Sequence, residues 1–176
     1  MFPHSPKRAD AAALCAVGVA LLRISGASAQ RTPVPRPSAP RWLVADATRH
    51  TATVTVIAGY NNANDGLNFN GDANGKMAIS IPAGYRATVV FARKGAFPHN
   101  TVITLTKPMG ASNTFALAFP GSGPADTTAG VITARYTFRA TMAAAYYLVC
   151  GLSGHAVTGL WARFTVTRGS HPSVMF

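Results

Sequence analysis

The sequence predicts an all-β protein, a Greek-key β-sandwich of about seven or eight strands. The 176 residues are 48% hydrophobic and only 12% charged, which excludes a charged disordered chain or a coiled coil as the main element. Glu is absent and Lys is scarce, so the usual material of exposed helices is missing. Short runs rich in Thr, Val and aromatic residues alternate with clusters of Gly, Pro and Asn, as in sandwiches.

Residues 1–29 are predicted to be a secretory signal peptide. Lys7 and Arg8 precede an apolar run at 11–22, and the tripeptide at 27–29 is an A-x-A cleavage signal. The apolar run is shorter than the roughly 20 residues that span a bilayer, so cleavage is favoured over a retained membrane anchor. We expect the protein to be exported to the periplasm, the extracellular space or the outer face of the membrane.

The remaining chain is predicted to divide into three parts. Residues 30–48 form an extended Pro/Arg-rich linker, because the stretch 31–41 reads RTPVPRPSAPR. Residues 49–168 form the sandwich domain, and residues 169–176 form a tail. Within the domain, strands are predicted at 50–57, 77–81, 85–92, 101–106, 133–138, 145–150 and 160–167. The Asn- and Gly-rich stretch 61–75 is predicted to be a long turn region, where these residues supply positive φ angles.

Three residues could carry chemistry together. Cys150 ends a predicted strand, and His155 follows within a short loop bounded by glycines. His99 lies in Pro98-His99-Asn100, between two other predicted strands. A soft thiolate with two imidazoles favours copper over hard cations, and a His₂Cys set is the arrangement of blue-copper electron transfer. Taken singly, each residue has a simpler explanation, since a lone Cys is commonly a small core residue.

These residues carry a family resemblance over about residues 50–167. The C-x4-H-x4-L spacing from Cys150, the Pro98-His99-Asn100 element and the run Phe69-Asn70-Gly71 to Gly84 resemble a small blue-copper protein of the cupredoxin class. The sulfocyanin family is the most similar, and rusticyanin shares the loop spacing. The resemblance implies a cupredoxin sandwich with one type 1 copper ion. Its metal ligands would be His99, Cys150 and His155, surrounded by Pro98, Asn100, Gly159 and Trp161.

The chain departs from the sulfocyanin pattern at Leu160. Sulfocyanins normally carry Met there, and Leu cannot donate to copper, so Leu160 would occupy the axial position without coordinating. The loss of an axial donor destabilises Cu(II) more than Cu(I), and we therefore expect a raised reduction potential. Met77, Met109 and Met142 are alternative donors, but each is expected in the core or in a loop.

The function predicted is electron transfer by a monomer, not catalysis, since there are too few His residues to build further copper sites. The formal net charge of +11 favours acidic or membrane-bound redox partners, such as respiratory components. The scarcity of carboxylates equally suits an acidic habitat, because few groups would be protonated at low pH. Nucleic acid is not expected as a partner, because the domain has no clustered basic run. Two alternatives stay open: a copper carrier or storage domain without redox traffic, and a metal-free secreted β-sandwich that acts as a binding module.

Overall fold

The computed structural model describes residues 41–109 and 115–176, which form nine β-strands and one short 3-10 helix. Within this part of the chain, no helix is long and apolar enough to cross a membrane. The predicted signal peptide, residues 1–29, and residues 30–40 of the predicted linker lie outside the described residues. The export of the protein therefore stays a prediction.

The strands form two mixed sheets. In chain order they are β1 (Leu43–Asp46), β2 (Thr51–Ala58), β3 (Ala78–Pro82), β4 (Arg86–Arg93), β5 (Val102–Thr104), β6 (Thr133–Arg139), β7 (Ala144–Val149), β8 (Trp161–Thr167) and β9 (Ser173–Met175). The first sheet has the order β1-β2-β4-β6, and the second has the order β5-β7-β8-β3-β9. Parallel pairing of β2 with β4, and of β3 with β8, makes both sheets mixed.

Side-chain alternation explains why the sheets face each other. In β2 the residues Ala52, Val54, Val56 and Ala58 are buried, and the residues between them are only partly buried. Since successive side chains of a strand point to opposite faces, this pattern gives β2 one apolar face. The core combines such faces from both sheets, and aromatic rings such as Phe138 and Phe164, 6.0 Å apart, meet between them. The predicted all-β sandwich is confirmed.

Two strands lie outside the predicted sandwich domain, residues 49–168. Strand β1 falls within the predicted linker, and β9 falls within the predicted tail, so nine strands replace the seven or eight expected. Each is a short edge strand, β1 against β2 and β9 against β3. The ring of Trp42, just before β1, also packs 5.4 Å from the ring of Tyr60 and 6.0 Å from that of Phe176. This contact brings the segment before β1 next to the segment after β9.

The Asn-rich segment 61–75 does more than turn the chain. Asn64, Asn70 and Asn74 adopt positive φ angles of 51°, 53° and 55°, as expected for turn residues. Asn68 and Asn70, however, are buried and act as hydrogen-bonding groups. Asn70 continues the β2 edge beyond the end of β1: its Oδ1 accepts from the amide of Ile57 at 2.6 Å, and its Nδ2 donates to the carbonyl of Thr55 at 2.9 Å.

Replacement of Asn70 by glycine should destabilise the domain. Asn70→Gly keeps the positive φ angle but leaves the Ile57 amide and the Thr55 carbonyl without their partner, which costs about 2–4 kcal/mol. Asn74→Gly is the matched control, since Asn74 has a similar φ angle and an exposed side chain. Urea unfolding should show a lower midpoint for Asn70→Gly only; equal midpoints for the two variants would contradict this role of Asn70.

Candidate metal centre

One end of the sandwich brings together the three candidate ligands. Cys150 directly follows β7, His155 lies in the loop between β7 and β8, and His99 lies between β4 and β5. The Nδ1 atoms of His99 and His155 are 3.2 Å apart, and Sγ of Cys150 is 3.6 Å from Nδ1 of His155. The three donor atoms all lie within 4.8 Å of one another, and they form the one such group of at least three donors within the described residues.

Burial keeps the two imidazoles neutral. His99 is 1% exposed, and loss of solvation, with repulsion from His155 and Arg93, lowers its pKa from 6.5 to about 4. Loss of solvation also lowers the pKa of His155. Neutral imidazoles carry a free lone pair, and a lowered pKa widens the pH range in which each ring can bind a metal ion.

The thiol of Cys150 is held in its protonated form by its surroundings. Burial raises its pKa, and hydrogen bonding from the backbone amides of Asn100 and Leu152 only partly opposes this effect. The thiolate is the form that binds metals, and a bound cation lowers a thiol pKa directly. A metal ion would therefore provide the charge compensation that this buried thiolate lacks.

The donor set discriminates between metals. The group contains one sulfur and two imidazole nitrogens, and no carboxylate belongs to it. Ca²⁺ and Mg²⁺ require oxygen ligands, whereas thiolate and imidazole suit copper. The burial of Cys150 and His99 excludes water from two sides of the group. The residues present therefore fit a copper ion of low coordination number.

Asn100 connects the two chain segments that carry His99 and Cys150. Its Oδ1 accepts from the amide of Gly151 at 2.6 Å, and its Nδ2 donates to the carbonyls of Thr127 at 2.8 Å and Ala129 at 3.0 Å. A Cβ atom at Gly151 would lie 2.0 Å from the Thr127 carbonyl oxygen, so only glycine fits after Cys150. The ligand residues are thus fixed by hydrogen bonds of the Asn100 side chain and by a close backbone contact at Gly151.

The Asn-rich segment fixes the other side of the ligand loop, which is the connection between β7 and β8 that carries Cys150 and His155. Asn64 Nδ2 donates to the carbonyl of Thr158 at 2.8 Å, and the amide of Asn74 donates to the carbonyl of Gly159 at 2.8 Å. The amide of Gly75 donates to the carbonyl of Trp161 at 3.1 Å. Sequence reasoning missed this contact because it treated 61–75 only as a turn; the density of Asn beyond what turns need was the available signal.

Two predicted neighbours of the ligands pack against this segment. A Cβ atom at Gly75 would lie 2.2 Å from the Trp161 ring, so the ring lies directly on the Gly75 backbone. A Cβ atom at Gly159, which has a φ angle of +112°, would lie 2.8 Å from side-chain atoms of both Asn64 and Asn74.

Pro98 is exposed at the surface, and its side chain contacts the backbone at Gly130 closely enough to exclude a Cβ there.

Leu160, which the family resemblance assigns to the axial position, is a buried aliphatic residue. Leu160 is 0% exposed and belongs to the same core cluster as Cys150. Its amide donates to the carbonyl of His155 at 2.9 Å, and its carbonyl accepts from the amide of Cys150 at 3.1 Å. Met109 and Met142 are 73% and 60% exposed, which does not suit an axial donor in a buried site. Met77 is buried in the core.

Residues 39–172 match the family described as the Sulfocyanin (SoxE) domain. The chain belongs to the sulfocyanin family. Sulfocyanin from Sulfolobus acidocaldarius is 30% identical over 122 residues, which are 64% of this chain and 61% of that protein. The chain therefore spans about three fifths of the length of this curated relative. The resemblance stated from the sequence is confirmed: this is a blue-copper protein of the cupredoxin class, close to sulfocyanin.

Solved structures of cupredoxins also align with the chain. Reduced rusticyanin is 22% identical, with a TM-score of 0.46, over 67% of this chain and 85% of that chain. Rusticyanin from Thiobacillus ferrooxidans is 23% identical, with a TM-score of 0.45, over 70% and 84%. Auracyanin B is 23% identical, with a TM-score of 0.46, over 72% and 95%. Blue-copper proteins bind one type 1 copper ion and act as electron-transfer proteins with redox partners.

Loss of the Asn64 side chain should loosen the ligand loop of this sulfocyanin-family chain. Asn64→Gly removes the donor to Thr158 and to Leu67 while it keeps the positive φ angle. Because one hydrogen bond contributes about 1 kcal/mol, we expect the amides of residues 158–160 to exchange with deuterium about five- to tenfold faster.

The neighbouring variant Asp65→Gly is the control, since Asp65 has a φ angle of 53° and is exposed. Its exchange at residues 158–160 should match that of the unmodified protein. If Asp65→Gly accelerates exchange as much as Asn64→Gly does, the loop is not held by the Asn64 side chain.

Proposed function

We propose that this protein carries single electrons through one type 1 copper centre, with His99, Cys150 and His155 as ligands and no axial methionine. The observation that carries the proposal is the convergence of the three donor atoms within 4.8 Å, in a chain of the sulfocyanin family. The donor set consists of one thiol sulfur and two imidazole nitrogens, which is the ligand type of blue-copper electron transfer.

The surroundings of the ligands suit electron transfer. Copper bound there would cycle between Cu(II) and Cu(I), and a fixed trigonal ligand set requires little rearrangement between the two states. Asn100 holds Gly151 beside the His99 segment, and the Asn-rich segment holds the loop after His155. Rigid ligands keep the reorganisation on each electron transfer small, so the hydrogen bonds around the site contribute directly to the rate.

His155 is the ligand that reaches toward the surface. His99 and Cys150 are buried, whereas His155 is partly exposed and lines a cleft with Asp65, Leu67 and Phe97. Phe97 is 68% exposed, which provides an apolar contact beside the imidazole. A redox partner that docks on this end would lie within one imidazole ring of the copper, so we expect electrons to enter and leave through His155.

A copper carrier that binds Cu(I) is the second candidate function. The absence of an axial sulfur at Leu160 and the preference of thiolate ligands for Cu(I) favour it. The two functions differ in one respect: an electron carrier must also hold Cu(II), whereas a carrier or storage protein need not.

Cu(II) should turn the protein intensely coloured. A thiolate-to-copper charge-transfer band and narrow hyperfine splitting in the EPR spectrum are expected, and Cys150→Ser or His99→Ala should abolish both. His50→Ala and His171→Ala remove imidazoles that lie outside the site, and they should leave both signals unchanged. A protein that binds Cu(I) tightly but stays colourless with Cu(II) would support the carrier function and exclude the electron-transfer proposal.

A sulfur donor at position 160 should lower the reduction potential. Leu160→Met offers an axial ligand that stabilises Cu(II) more than Cu(I), and a tenfold change in their relative affinity corresponds to about 60 mV. Protein-film voltammetry should show a fall of that order. Leu148→Met is the control, because Leu148 is equally buried in the same core and keeps its volume in the exchange. Equal potentials for Leu160→Met and Leu148→Met would exclude the axial interpretation.

A further inference from the structure

The end of the sandwich opposite the ligands carries a group of exposed basic residues. We name it the distal basic face, and its members are Arg49, His50, Arg86, Arg139, Arg168 and His171. Strand β4 begins at Arg86 on this face and ends at Arg93, and the connection that follows it carries His99. The length of the eight-residue strand therefore separates this face from the ligands. The turns of this end are joined by the amide of Arg86, which donates to the His50 carbonyl at 2.8 Å, and by the amide of Ala83, which donates to the Thr167 carbonyl at 2.8 Å.

The positive charge of this face is almost uncompensated within the domain. Arg86 and Arg139 are direct cross-strand partners, an arrangement of like charges that destabilises a sheet. Arg139 finds only a neutral partner, the carbonyl of Gly84 at 3.0 Å. The ion pair Arg49–Asp46, at 3.2 Å, is the one salt bridge within the described residues.

The acidic residues are concentrated at the other end of the domain. Asp65 and Asp72 lie in the Asn-rich segment beside the ligand loop, and Asp126 lies next to Thr127, the residue that Asn100 contacts. Asp46 is therefore the only one of the four described carboxylates at the distal end. The ligand end thus carries acidic as well as basic side chains, such as Lys76 and Lys94, whereas the charged side chains of the distal end are almost all basic. The distal end would be stabilised by an external anionic surface.

An exposed apolar side chain projects from the same end. Met142 lies in the connection between β6 and β7, three residues after Arg139, and is 60% exposed. The connection is held by the hydroxyl of Tyr146, which donates to the Met142 carbonyl at 2.9 Å. Basic side chains and an exposed apolar residue at one end of a domain are a combination that binds at the interface of an anionic bilayer, where the charges meet phosphates and the apolar group enters the headgroup region.

We propose that the distal basic face binds the surface of a bilayer rich in anionic phospholipid, with Met142 at the contact. This arrangement directs the His99, Cys150 and His155 end away from the bilayer, where a redox partner can reach it. The interaction does not depend on copper, so it can be tested separately from the electron-transfer proposal.

Cosedimentation with vesicles tests the proposal. The metal-free chain of residues 30–176, and the longer chain 1–176 if it is purified uncleaved, would be mixed with phosphatidylglycerol/phosphatidylcholine vesicles and with pure phosphatidylcholine vesicles. We expect binding to the anionic vesicles only. The double variant Arg86→Gln/Arg139→Gln should bind them at least about tenfold more weakly, since each basic residue near the surface contributes substantially.

The control is Lys76→Gln/Lys94→Gln, which removes the same charge from exposed residues at the ligand end. It should retain most of the binding. Met142→Ala should weaken vesicle binding but leave binding to soluble polyglutamate unchanged. Equal losses in the two double variants, equal binding to neutral vesicles, or binding to polyglutamate without binding to vesicles would each overturn the proposal; the last outcome would point to an acidic protein as the partner.

Discussion

The side chain of Asn100 joins three segments of the chain at the ligand end of the sandwich. Its Oδ1 accepts a hydrogen bond from the amide of Gly151, and its Nδ2 donates to the carbonyls of Thr127 and Ala129. Asn100 itself directly follows His99 in the chain. The segment before β5 and the segment after β7 are thereby held together. The backbone amide of Asn100 also hydrogen-bonds the Cys150 thiol, and a hydrogen-bond partner lowers the cost of burying a polar group.

The remaining rigidity of the site comes from the Asn-rich segment. Its amide groups hold the chain from Thr158 to Trp161 through three hydrogen bonds, and Gly75 lies against the Trp161 ring. The ligand loop is therefore enclosed between two polar networks, one centred on Asn100 and one on the Asn-rich segment. These contacts hold the ligand residues without involving a metal ion, and such rigidity suits a centre with two oxidation states.

The sequence was most informative where chemistry and spacing coincide. The thiolate, the two imidazoles and the Pro98-His99-Asn100 element led to the family and to three residues that do converge in the structure. Strand positions were also predictable, because the alternation in β2 and β8 is regular. Edge strands β1 and β9 escaped prediction, since they are short, follow Pro- or Gly-containing stretches and are formed by pairing that only the folded chain provides.

Long-range polar contacts were beyond the reach of the sequence for a related reason. The bond from Asn64 to Thr158 joins residues 94 positions apart, and local propensity describes Asn64 only as a residue that tolerates positive φ. Asn70 is likewise of a residue type common in turns, but its side chain hydrogen-bonds the backbone of β2 as a neighbouring strand would. In both residues, the conformation was predictable from the amino acid, whereas the partner depended on the tertiary fold.

The ligand set proposed for the copper centre is one thiolate sulfur and two imidazole nitrogens, with no methionine sulfur. Copper K-edge X-ray absorption of the loaded protein, in both oxidation states, tests it most directly. We expect one short copper–sulfur distance and two copper–nitrogen distances that change little on reduction. A second sulfur neighbour, the absence of any sulfur, or a large change in the first coordination shell between Cu(II) and Cu(I) would contradict it.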